Sequence, residues 1–134
     1  MSQPAQRPIH IGPIRLDTAA RMAWWCLLAA SIVVALWPRT PEAIDLGWDK
    51  ANHLVAYAGL TVLGCWTQNW RKRTVALVMI AHGGLVEVLQ SFTTYRSAEW
   101  ADLLADALGI GVGIGLTIVI QRMLRWVTRA DAPR

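Results

Sequence analysis

The sequence predicts an all-α fold, an integral membrane four-helix bundle running up-down-up-down with both termini cytoplasmic. Three observations predict it. First, the 134-residue chain is 54% apolar and only 16% charged, whereas an average soluble domain is about 25% charged. Its apolar residues gather in four blocks, about residues 22–37, 51–67, 74–92 and 103–120. Each is close to the ~20 residues that span a bilayer as a helix. Second, there are eight tryptophans and one phenylalanine. Trp24, Trp25, Trp37, Trp48, Trp66, Trp70, Trp100 and Trp126 all fall at or near block ends. Indole favours the membrane–water interface, where the ring is apolar and the N–H stays wet. Third, ten of the thirteen basic residues lie on three segments that an even number of spans puts on one side. These are Arg7, Arg15 and Arg21; Arg71, Lys72 and Arg73; and Arg122, Arg125, Arg129 and Arg134. The positive-inside rule makes that side cytoplasmic. The alternative is a soluble bundle with unusually apolar helices.

The elements follow in order. Residues 1–20 hold Pro4, Pro8 and Pro13, show no helical apolar face, and read as a cytoplasmic tail. The first block resembles a signal peptide in charge order, but no A-x-A site ends it, so an uncleaved anchor is expected. Pro38 and Pro41 stop that helix. Asp45 or Asp49 can cap the second helix. Residues 69–73 form a tight cytoplasmic turn. Residues 93–100 form the second outer loop, with Ser97 as N-cap of the fourth helix and Glu99 near its first turn. The resulting organisation is a tail (1–20), a four-helix transmembrane domain (21–121) and a basic cytoplasmic tail (122–134). Cys26 and Cys65 lie inside apolar blocks and read as small fillers. No CxxC or Cys/His spacing suggests a metal, so no metal and no cofactor is expected. The net charge of +4 reflects topology, because the basic residues sit on separate membrane-proximal segments; a nucleic-acid partner is not expected.

Function is read from polar groups inside the apolar blocks. A lone charge facing lipid costs a few kcal/mol at least, so a buried carboxylate must be paired, protonated or at a polar cavity. Glu87 interrupts a run that has no other charged side chain over residues 74–92. His53 and Tyr57 mark the second block, Asp102 and Asp106 the fourth, and the first block has no such group. His53, Tyr57 and Gly64 (i, i+4, i+11) share one helical stripe. So do Gly83, Glu87 and Gln90, and so do Asp102, Asp106, Gly109 and Gly113. Glycine on a stripe suits close helix packing. All three stripes reach the same depth, one to two turns below the outer surface. A polar pocket is therefore expected in the outer third of the membrane, with Arg96 above it. His82 lies deeper, off the Glu87 stripe, and reads as a packing or hydrogen-bonding histidine. The bland alternative is that these groups only hold helices together, at about 0.6 kcal/mol per interhelical hydrogen bond. HExxH, GxSxG, P-loop and dinucleotide motifs are absent.

The ordered set Asp49-Lys50-x-x-His53-x-x-x-Tyr57-x-x-Leu60, a basic turn, Glu87-x-x-Gln90, Arg96, Asp102 and Gly109-x-x-x-Gly113 resembles the VanZ-like family. The match runs over about residues 49–113. The family's fourth helix usually reads Asp-x-x-x-Asn before the glycine, and here the second position is Asp106. The resemblance implies a multi-pass bacterial envelope protein in the inner (cytoplasmic) membrane. The family's namesake is associated with low-level teicoplanin resistance.

Three functions compete. One is an accessory protein whose pocket holds the head group of a membrane lipid or a lipid-linked envelope precursor. The second is a membrane-embedded hydrolase or transferase acting on a lipid-linked phosphate or sugar. There His53, Glu87 and Asp102 are the catalytic candidates, with His53 as base or nucleophile and a carboxylate orienting it. Lys50 and Arg96 would clamp the anion, and Asp49, Tyr57, Gln90 and Asp106 complete the binding set. The third is a proton-coupled carrier using Glu87 and Asp106, which would need a homodimer.

The charge split generates a topology test. Reporter fusions at Asn69 and after Arg125 are expected to read cytoplasmic, and fusions at Ala43 and Ser97 periplasmic. Opposite signals at Asn69 and Ala43 would invert the orientation.

Overall fold

A computed structural model describes residues 14–38, 44, 46–95 and 99–130. It contains four helices: α1 (Ile14–Ala35), α2 (Asp49–Thr67), α3 (Lys72–Gln90) and α4 (Trp100–Ala130). No strand occurs among the described residues.

Two helices outrun their apolar blocks. α1 starts at Ile14, directly after Pro13 in the sequence, inside the segment expected to be a tail. Helix-forming residues and the early acidic Asp17, which complements the helix dipole, extend it. α4 has 31 residues and continues through Ala130, so most of the expected basic tail is helical. At 1.5 Å per residue α4 is about 46 Å long, longer than the ~30 Å hydrocarbon core. A helix of that length extends beyond the core at one end or both. α2 begins differently from expectation as well. Its N-cap is Trp48, with extended backbone and no side-chain cap bond; Asp49 is the first helical residue. Asn52 instead reaches back, its Oδ1 accepting from Leu46 N–H at 2.8 Å. Gly47, at φ 74°, makes the entry turn in a region that side-chain-bearing residues rarely adopt. Asp45, Arg96 and Ser97 lie outside the described residues.

α1, α3 and α4 are each long and apolar enough to cross a membrane. α2 is not among them; it opens with Asp49-Lys50-Ala51-Asn52-His53. It compensates by burial, packing against all three other helices and most extensively against α4. The outer faces are apolar: Val33, Leu77, Val88, Leu108 and Val119 are all more than half exposed. Meanwhile Glu87, Gln90, Asp102 and Asp106 are each no more than 6% exposed. A soluble bundle would invert this pattern, so the soluble alternative fails.

Two glycines decide the α2–α4 approach. A Cβ at Gly109 would lie 2.4 Å from the Leu54 carbonyl oxygen, and one at Gly113 would lie 2.6 Å from that of Ala58. The contacts advance four residues at a time on both helices. Against α1, in contrast, α2 runs back: Trp24 meets Leu60, and Arg21 meets Thr67. Trp24 departs from the interfacial expectation. It is 1% exposed, donates its indole N–H to the Leu60 carbonyl at 2.8 Å, and lies flush against Gly64. The other seven tryptophans are exposed, as interfacial residues should be. Cys65 packs on the core cluster, but Cys26 is on the apolar exterior, so only Cys65 fits the filler reading.

Gly109→Ala and Gly113→Ala should each destabilise the bundle by about 1–3 kcal/mol through overpacking. Gly111→Ala and Gly115→Ala, which would meet nothing within 4 Å, should be neutral or slightly stabilising. Unfolding in micelles measures this; a Gly109→Ala protein as stable as wild type would mean that the two backbones are not in contact.

Candidate functional site

The polar groups of α1–α4 form two connected clusters with a cleft beside them. The first cluster is centred on His82. Its Nε2 lies 3.1 Å from the Leu28 carbonyl oxygen, which can only accept, so Nε2 carries a proton. Nδ1 is then the acceptor, and the Tyr57 hydroxyl donates to it at 2.9 Å. Ser31 Oγ, 3.3 Å from Nε2, donates to the Leu28 carbonyl at 2.8 Å. His82 thus ties α1, α2 and α3 together. Nothing in the sequence singles out Ser31, because a single serine in an apolar block gives no pattern.

The second cluster joins α2 to α4. His53 Nδ1 donates to Asp106 Oδ1 at 2.8 Å. The residue that orients the imidazole is therefore Asp106, not Glu87 or Asp102 as the enzyme reading supposed. The reason is register: Gly109 brings Leu54 and Tyr57 against α4, which puts His53 level with Asp106. Among the described residues no direct hydrogen bond joins His53, Glu87 and Asp102. Lys50 Nζ pairs with Glu99 Oε2 at 2.7 Å and with Asp102 Oδ1 at 3.1 Å, pinning the starts of α2 and α4. It is engaged by these carboxylates rather than offered to an anion.

Glu87 has a role the sequence did not suggest. Its Oε2 accepts from the Glu99 backbone N–H at 2.9 Å, so a carboxylate from α3 caps the start of α4, where the helix dipole favours negative charge. Gln90 does the complementary job at a C-terminus. Its amide donates to the Ala35 carbonyl at 3.0 Å, one of the orphan acceptors at the end of α1. Gly83 leaves room between α3 and Asp106, whose Oδ2 sits 2.6 Å from where a Cβ would be. Several buried oxygens accept no hydrogen bond among the described residues, namely Thr61 Oγ1, Glu87 Oε1, Gln90 Oε1 and Asp106 Oδ2, while Asp102 Oδ1 faces the Lys50 ammonium.

The cleft, about 560 Å³, opens between α1, α2 and α3 beside the connection from α1 to α2. Its walls are mostly apolar, including Leu27, Val34, Leu60 and Val86. Of the expected site residues it is lined by Asp49, His53, Tyr57 and Gln90, together with Asn52, Ser31 and His82. Lys50, Glu87, Asp102 and Asp106 do not line it. The expected pocket therefore divides: imidazole, phenol and amide face the cleft, while the carboxylates of α3 and α4 are packed behind them. Arg96 lies outside the described residues. The arrangement can hold an amphiphile, with apolar surface for a chain and hydrogen-bonding groups for a polar end.

An apolar exterior, a polar interior and three span-length helices define an all-helical membrane protein. A family model described as VanZ/LLP1 matches residues 14–121, and the chain belongs to that family. No curated protein and no solved structure matches it.

Tyr57→Phe removes the donor that His82 Nδ1 receives and leaves that nitrogen unsatisfied. A loss of about 0.6 kcal/mol, and no more than about 1.7, is expected from interhelical hydrogen bonds measured in membranes. A double-mutant cycle with His82→Gln in micelles checks it; zero coupling would show that the two side chains do not interact.

Proposed function

We propose that this protein is a binding or accessory protein of the bacterial cell envelope, lying in the inner membrane with its cleft open towards the periplasmic side. Its ligand is a membrane lipid or a lipid-linked envelope precursor. The cleft carries this reading: its apolar walls suit an acyl or polyprenyl chain, and His53, Asn52 and Asp49 stand where a head group would lie. The up-down-up-down course is supported by the opposed run of α1 and α2 and the shared run of α2 and α4. Cytoplasmic termini are supported by the ten-to-three split of basic residues. The proposal includes a link to teicoplanin resistance, which the resemblance to the VanZ-like family suggests.

Filling the cleft tests the reading. Ala30 and Ala56 line it, so Ala30→Trp and Ala56→Trp should abolish a lipid that co-purifies with the wild-type protein and is identified by mass spectrometry. Membrane accumulation should persist. Retention of the same lipid in both variants would refute the cleft as its site.

A second reading, an enzyme acting on a lipid-linked phosphate or sugar, is favoured by one observation. Asp106 holds His53 in a single tautomer, the geometry of an oriented general base. Glu87→Gln separates the readings. If Glu87 is only a cap, Gln keeps an acceptor and nearly the same volume, and an envelope or resistance phenotype should stay at wild-type level. If the carboxylate takes part in proton transfer, the phenotype should vanish while protein level holds. Full function in Glu87→Gln would remove Glu87 from any catalytic scheme.

A further inference from the structure

Asp49 and His53 on α2 and Asp102 on α4 converge beside the starts of the two helices. One carboxylate oxygen of each aspartate and one ring nitrogen of His53 all lie within 4.8 Å of one another. We propose that these three side chains bind a first-row transition-metal dication of the zinc type. No spacing within a single segment reveals such a site, because its ligands come from two helices.

The histidine is prepared for the role. Its side chain is only 10% exposed. Nδ1–H donates to Asp106, so Nε2 is the nitrogen left to meet a metal. That nitrogen has no hydrogen-bond partner among the described residues. A ligating histidine typically has this arrangement, a carboxylate on one nitrogen and the metal on the other. Asp106 is thus a positioning residue, and Asp49, His53 and Asp102 are the ligands. Asp102 is 3% exposed. Its near cation is the Lys50 ammonium at 3.1 Å, and that ammonium has a shorter contact with Glu99 at 2.7 Å. Lys50 therefore competes with the metal for Asp102 but keeps a partner when displaced.

The donor set selects the ion. Calcium and magnesium take oxygen ligands throughout, whereas an imidazole beside two carboxylates suits zinc and its neighbours. Bonds of about 2.1 Å in a tetrahedron put ligand atoms roughly 3.4 Å apart, so small side-chain rotations close the present separations. Three protein ligands leave one position open. Asp49 and His53 also line the cleft, which gives the ion a route in.

The experiment uses the full chain in micelles, stripped with a chelator and titrated with zinc alone, with bound metal counted by elemental analysis. One zinc per chain is expected. Asp49→Asn and His53→Gln should each weaken binding at least tenfold. Asp106→Asn, which removes no ligand, should weaken it by about 10- to 100-fold. Lys50→Met should tighten it several-fold by removing the competing charge. Helicity and thermal midpoint without zinc establish that each variant is folded. The proposal is overturned if the wild type binds no zinc, if Asp49→Asn and His53→Gln bind as the wild type does, or if Lys50→Met binds more weakly. The readout is independent of the cleft's ligand, so its failure would leave the accessory reading standing.

Discussion

Carboxylates cannot be left alone inside an apolar bundle, and this chain buries three of them on α3 and α4. The fold answers by making α2 the polar partner. The helix brings Lys50 to Asp102 and His53 to Asp106, and it can do so only because Gly109 and Gly113 admit its backbone carbonyls. Close approach and charge pairing are therefore one constraint. Adding a methyl group at either glycine pushes α2 outward and separates His53 from Asp106. The same constraint explains why α2 lacks the hydropathy of a span yet sits among three helices that have it. Its polar face is spent on neighbours, so lipid meets only the remainder.

Helix ends impose the next layer. Lipid supplies no hydrogen bonds to orphan backbone groups. Here side chains from neighbouring helices supply them, with Glu87 of α3 at the start of α4 and Gln90 of α3 at the end of α1. The Tyr95 hydroxyl adds a bond to the Leu36 carbonyl just beyond α1. The cleft is what remains where α1 leaves α2. The two helices are joined tightly through Trp24 and Leu60, and near His82 they are bridged by side chains rather than by backbone contact. Beyond that bridge the space is open, and the hydrogen-bonding groups that line it are the other sides of groups already fixed in the bundle.

The polar stripes were legible because helical spacing is a local property. His53 with Tyr57, Glu87 with Gln90, and Asp102 with Asp106 each required only the 3.6-residue period. Pairing across helices was less legible. Asp102 and Asp106 are equally good partners for His53 when only stripes and depth are known, and one turn of register decides between them. Glu87 illustrates the same limit. An isolated carboxylate in an apolar run marks a special position, but capping a different helix looks identical in sequence to facing a catalytic imidazole. Trp24 was misread with seven other tryptophans because an indole near a block end is equally compatible with the interface and with a partner carbonyl in the core.

The sequence by itself determined the class of fold, because apolar block length, the placement of basic residues and the resemblance over residues 49–113 depend on composition and local order alone. It also marked Glu87, Gln90, Asp102 and Asp106, all of them buried. The tertiary structure decided who meets whom. The division of the expected pocket into a lined cleft and a packed carboxylate cluster, and the convergence of Asp49 and His53 with Asp102, are set by the distance and register between α2 and α4. Those depend on two backbone carbonyls meeting two glycines fifty-five residues away, a relation that no local pattern in the chain encodes.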